Sequence, residues 1–256
     1  MKNIKSFLLL ALLSIIMVSC GGNDPLKTQV DAINSKGQIP YQITEWATVS
    51  ELQYNEGMLA IGITINETDL VTIDKIQKNS KDVTAALANF IFGTKGSLNS
   101  LAPLIKQTKS AISIKLTGSN SKKTVEETIS PAEAAKFAAA TTPDVALKTR
   151  LAMDNLTTPY DVNDFVKQDA RTLDGDKMVF TLLVKSSSFD GKLSGKELKK
   201  FLISIFTDPT DPVSDYPALL VAAKKGAKWI YKNEDSGAQL TSEFTVDELS
   251  GLQKKE

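Results

Sequence analysis

The sequence predicts an α+β protein built as two tandem, similar two-layer units, each an antiparallel sheet of about four strands packed with helices in the order β-β-α-α-β-β-α. Three observations predict it. Some short segments alternate apolar and polar side chains with a period of two. Others repeat apolar residues with the period of a helix. Both kinds recur in the same order in the two halves of the chain.

The halves open alike, with Leu26-Lys27-Thr28 in the first and Leu147-Lys148-Thr149 in the second. Ile39-Pro40-Tyr41 is answered by Thr158-Pro159-Tyr160. A strand follows in each. Leu59, Ile61, Ile63 and Ile65 share one face in the first half, and Met178, Phe180, Leu182 and Val184 take those places in the second. The turns Asn55-Glu56-Gly57 and Asp174-Gly175-Asp176 precede them, so the segments 44–53 and 163–172 can supply the other hairpin arms. Helical spacing then takes over, through Val83, Leu87, Phe90 and Ile91 or Leu198, Phe201, Leu202, Ile205 and Phe206. Shorter helices are expected near 98–109 and 216–225. Each half then returns to strand around Ile112, Ile114 and Leu116 or Trp229 and Tyr231, turns through polar residues, and adds a last strand at 125–129 or 240–244. Both close on the same capping box, Ser130 to Glu133 and Thr245 to Glu248. The segment Thr141-Thr142-Pro143-Asp144 reads as the hinge.

The N-terminus carries Lys2 and Lys5 and then an apolar run from Phe7 to Val18 broken only by Ser14. That run is about 12 residues, whereas a helix needs about 20 to span the hydrocarbon core. It therefore reads as the core of a signal peptide. The run ends in Met17-Val18-Ser19-Cys20, which resembles the lipobox of bacterial lipoprotein precursors. The resemblance implies cleavage before Cys20 and lipid on its sulfur, with three acyl chains in all. Because each buried methylene contributes about 0.8 kcal/mol, such an anchor holds permanently. Met17 stands where the family prefers leucine, which should slow cleavage. Gly21 is not the aspartate that retains such proteins at the inner membrane in enterobacteria, so the resemblance points to the outer membrane, on either face. The overall arrangement is also similar to lipoproteins of the Bacteroidota. The expected organisation is a signal peptide at 1–19, a lipidated tether at 20–25, one unit at 26–140, a linker at 141–146 and a second unit at 147–256.

Composition excludes several kinds of chemistry. The chain has no histidine, and Cys20 is its one cysteine. A catalytic triad, a thiol nucleophile, an internal disulfide and an ordinary zinc or copper site are all ruled out. Roughly 235 mature residues suffice for a stable apolar core. Basic and acidic residues balance at 30 each in the precursor. Near-neutrality without a basic tract argues against nucleic acid as a partner.

Three constellations remain. Asp190-Gly191 with Glu197 resembles the end of an EF-hand loop, which makes Asp190 and Glu197 candidate calcium ligands. Ser186 and Ser188 stand where that loop needs carboxylates, and the preferred reading is a strand-to-helix turn capped by Ser194 and Glu197. No cofactor is otherwise expected. Asp208-Pro209, Asp211-Pro212 and Asp215 read as turn formers, with Asp215 or Ser214 capping the next helix. Trp229 and Tyr231 share a strand face. In one register they are core, and in the other they form an exposed platform for a glycan or a partner protein. Lys228 and Lys232 on the opposite face favour the core register.

These readings lead to an expected envelope lipoprotein, held to the membrane by its N-terminal lipid and acting as a non-enzymatic binding or assembly module for an unidentified protein or glycan. Two alternatives stay open: a carboxylate-dependent hydrolase of envelope glycans, and a structural accessory of an outer-membrane complex that pairs through exposed edge strands.

Overall fold

A computed structural model describes residues 24–94, 96–185, 195–211 and 213–253. The signal peptide, the lipobox with Cys20, the candidate ligand Asp190 and the cap Ser194 lie outside the described residues.

The first unit begins with helix α1 (Pro25–Ser35), capped by Asp24, whose Oδ1 accepts from the Leu26 amide at 2.9 Å. Strands β1 (Tyr41–Thr44), β2 (Ala47–Asn55) and β3 (Met58–Ile65) form an antiparallel meander. A helical crossover follows: α2 (Ile73–Lys78), α3 (Ser80–Phe92), a 3-10 turn at Asn99–Leu101 and α4 (Ala102–Thr108). The chain returns in β4 (Ala111–Gly118) and β5 (Thr124–Ile129) and ends in the short α5 (Pro131–Ala134) with a 3-10 turn at Ala135–Ala138. The five strands lie in the order β1-β2-β3-β4-β5.

The second unit repeats this plan. Helix α6 (Pro143–Asp154) leads into β6 (Tyr160–Asn163), β7 (Val166–Gln168), β8 (Thr172–Asp174) and β9 (Lys177–Val184). Then come α7 (Gly195–Thr207), α8 (Tyr216–Ala222), β10 (Gly226–Asn233), β11 (Gln239–Phe244) and α9 (Val246–Gln253). The sheet order is β11-β10-β9-β7-β6, with β8 also on β9.

The duplication reaches to single hydrogen bonds. Asn34 Nδ2 donates to the Leu52 carbonyl at 2.8 Å, and Asn155 Nδ2 donates to the Arg171 carbonyl at 2.7 Å. The amide of Ala111 bonds to the carbonyl of Gly57, and that of Gly226 to Asp176. Lys109 and Lys224 both end their helices in the left-handed region, at φ 52° and 54°. The Ile39-Pro40 and Thr158-Pro159 bonds are both cis. Both expected capping boxes form, with Ser130 on Glu133 and Thr245 on Glu248.

Two details differ from the sequence expectation. Each sheet holds one parallel pair, β3 with β4 and β9 with β10, among otherwise antiparallel neighbours. The long helical segment between the paired strands provides the crossover that parallel pairing needs. Each unit also opens with a helix, α1 or α6, ahead of its strands. The expected linker 141–146 contains the cap Thr142 and the first turn of α6, which begins at Pro143. Leu147 of that helix is buried in the second core, while Met153 and the following Leu156 pack into the first. The join between units is therefore a packed helix that serves both cores.

Among the described residues, no helix is long and apolar enough to cross a membrane.

Candidate functional site

A cavity of about 670 Å³ opens at the join of the two units, lined almost wholly by the first unit and the connecting segment. One wall is α3, whose apolar stripe (Val83, Leu87, Ile91) turns into the first core and leaves Lys81, Ala85 and Asn89 facing outward. The opposite walls are the end of β5, the 3-10 turn carrying Lys136 and Phe137, and the connecting segment 139–142 with Val145 of α6. That size suits one small molecule.

The walls are held in place locally. The Ser80 hydroxyl at the start of α3 donates to Glu127 of β5. Phe137 lies against Phe92 with ring centroids 5.8 Å apart. Asn89 spans the units, donating from Nδ2 to Thr149 Oγ1 at 3.3 Å. At the end of α3 a Cβ on Gly93 would lie 2.3 Å from the Asn89 carbonyl oxygen, so only glycine lets the chain turn there.

Charges line the rim in two different states. Both carboxylates are engaged. Glu127 accepts from Ser80, and Glu133 Oε2 accepts from Ser130 Oγ at 2.7 Å and from the Ser130 amide at 3.2 Å. Those bonds, aided by Lys136 and Lys81, hold the Glu133 carboxyl below the usual range. Lys81 and Lys136 are exposed, and neither ammonium makes an ion pair or a hydrogen bond among the described residues.

A second cleft of about 520 Å³ lies on the other side of the α3–α6 crossing and is bordered by Asn155 and Arg171. Beside it, the two arginines of the chain converge on one aspartate. Asp154 accepts from Arg171 Nη1 at 3.0 Å, from Arg150 Nε at 3.0 Å and from the Tyr216 hydroxyl at 2.7 Å. Arg150 also meets Asp215 at 3.1 Å. Burial works against the Arg150 charge, but Asp154 and Asp215 outweigh it and hold its pKa above the ordinary value. Burial likewise pushes the Tyr216 phenol up. Arg171 is 3% exposed and lies over the Tyr216 ring at 5.6 Å. With three donors on Asp154, this constellation orders the second core and leaves little capacity for general acid-base work.

The candidates from the sequence fall elsewhere. Trp229 is 2% exposed and stacks on Phe180, with centroids 4.4 Å apart and planes 7° from parallel. Tyr231 is half-buried against the same core, and burial pushes its phenol up to about 12. The core register holds, and the exposed-platform reading of Trp229 and Tyr231 is corrected by that packing. Glu197 is exposed in the first turn of α7, away from the cleft between the units; its partner Asp190 lies outside the described residues. Among the described residues, no group of three or more acids is placed to hold a metal ion. Asp208 and Asp211 form turns as expected, accepting from the amides of Thr210 and Val213. Asp215 makes no side-chain cap and turns to Arg150 instead.

Sequence reasoning missed both the cleft and the arginine cluster. The cleft arises from packing between units and has no local motif. The cluster did leave a trace: two arginines in a chain otherwise rich in lysine suggest buried, bidentate roles.

No protein-family model matches the chain, and no curated protein matches it. A solved structure from Pseudomonas aeruginosa, of a protein described as secreted, is similar to 43% of this chain and 99% of its own length, at 16% identity and a TM-score of 0.34.

Proposed function

We propose that this chain is an envelope lipoprotein, anchored in the outer membrane through lipid on Cys20, that works as a non-enzymatic binding module with its ligand seated between the two units. The observation that carries the reading is the cleft bounded by α3, β5 and the connecting segment. Its walls are mostly apolar, and its two carboxylates are already taken up by serine hydroxyls. A chain without histidine, and with one cysteine reserved for lipid, supports binding over catalysis. The lipobox supports the location.

Solvent extraction of the protein purified from membranes, followed by mass spectrometry, tests the binding role. The native protein is expected to retain a small molecule that Ala85→Trp, which fills the cleft wall, releases. Identical extracts from both proteins would overturn it. The anchor is tested separately: Cys20→Ser is expected to move the protein from the membrane to the soluble fraction.

A further inference from the structure

We infer that the ligand of this cleft is a single-chain anionic amphiphile of the fatty-acid type, with its chain against Ala85, Ile129, Phe137 and Val145 and its carboxylate between Lys81 and Lys136. This rests on the proposed binding role and names the ligand class. Ala85, Ile129, Phe137 and Val145 make most of the cleft surface apolar, and the few polar groups of Thr84, Asn89 and Thr128 beside them cannot replace the full hydration of a sugar-like molecule. The rim supplies the opposite chemistry. Each ammonium carries three donors, and neither Lys81 nor Lys136 spends one on another described residue. The two glutamates beside them accept from Ser80 and Ser130 and keep their negative charge, so what the mouth offers an anion is the unshared N–H donors of Lys81 and Lys136. Lys81 and Lys136 both line the cleft beside Glu133. An apolar trough ending in two unspent cations matches a molecule with a long chain and one acidic end.

The test uses the full chain carrying Cys20→Ser, so that no acyl chain of its own competes. The probe is cis-parinaric acid, read by its fluorescence increase, with its uncharged methyl ester as control. The acid is expected to bind at least tenfold more tightly than the ester. In Lys81→Glu/Lys136→Glu the acid is expected to fall to the level of the ester while the ester is unchanged. Ala85→Trp is expected to abolish both, and Ala139→Trp on the facing segment makes the same check if the first variant unfolds. If acid and ester bind alike and the lysine reversals change neither, the ligand class is wrong while the cleft reading stands. If the acid does not bind at all, the class is again wrong, and extraction of the native protein still decides the binding role. If probe binding survives both tryptophan variants, the probes sit elsewhere, and the inference and the cleft reading fall together.

Discussion

The two units carry the same backbone plan around different interiors. In the first, the inner faces of β3 and β4 are aliphatic: Leu59, Ile61, Ile63, Ile65, Ile112, Ile114 and Leu116 are each at most 1% exposed. In the second, the same places hold Met178, Phe180, Leu182, Val184, Ala227, Trp229 and Tyr231. Phe180, Phe206, Trp229 and Phe244 interlock there by stacked and edge-on contacts at 4.4–6.1 Å. The ring pair Phe180 and Trp229, next to the small Ala227 opposite Met178, replaces a row of medium-sized side chains, which keeps the volume filled. The lesson is that the position of the apolar face specifies this fold, and the residues filling it can be exchanged if total volume is conserved. The sharpest difference is at one position. Leu52 of the first unit and Arg171 of the second receive the same asparagine bond on their carbonyls and are both buried, at 2% and 3% exposure.

The largest effect should come from forcing the polar solution onto the aliphatic unit. Leu52→Arg buries a cation with no acid to meet it, because Ile33 stands where the second unit has Asp154. It is expected to cost about 4 kcal/mol or more and to unfold the first unit, measured by urea denaturation followed by circular dichroism. Next is the reverse change. Arg171→Leu is expected to cost about 3 kcal/mol by leaving Asp154 with fewer donors. The triple variant Asp154→Ile/Arg171→Leu/Tyr216→Phe, which removes the buried part of the network and leaves Arg150 paired with the exposed Asp215, is expected within about 1 kcal/mol of the parent in the same assay. A triple variant as damaged as the single one would show that the network stabilises the second unit beyond its own desolvation cost.

A smaller effect is expected in alkali. The Tyr231 phenol is raised from its ordinary 10 to about 12, so the folded state prefers it neutral. Its contribution is complete below pH 10 and is lost as pH rises from 10 to 12, by about 3 kcal/mol at most. Tyr231→Phe should flatten that loss, read as the urea midpoint at pH 9 and pH 11. The smallest effect concerns the hairpin tips. Ile43 and Trp46 of the first unit pack on its core, whereas Val162 and Phe165 at the matching tip are 53% and 51% exposed. Phe165→Ser is expected within about 0.5 kcal/mol of the parent, and Trp46→Ser is expected to cost clearly more.

Much of the architecture was legible because periodicity survives the change of residue type. The alternation at Leu59–Ile65 and at Met178–Val184 is the same signal, and the two capping boxes mark the same helix starts. The opening helices were missed although Leu26, Val30 and Ile33 in α1 and Leu147 and Leu151 in α6 carry helical spacing, because the Thr-Pro at the start of α6 reads equally as a loop. The parallel pairs were hidden as well, because alternation marks a strand without naming its neighbour. The cleft was the least legible feature. Lys81, Ala85 and Lys136 look like ordinary surface residues until α6 packs against α3.

The first turn of the molecule bears on how it would sit at a membrane. Asp24 caps α1 and also accepts from the Tyr54 hydroxyl at 2.6 Å, so the folded body begins at that residue. With the proposed lipid on Cys20, only four residue steps separate anchor and body, a leash of at most about 14 Å even when fully stretched. The first unit would be confined close to the headgroups, and only the second would be free to face outward, which gives two copies of one fold unequal surroundings.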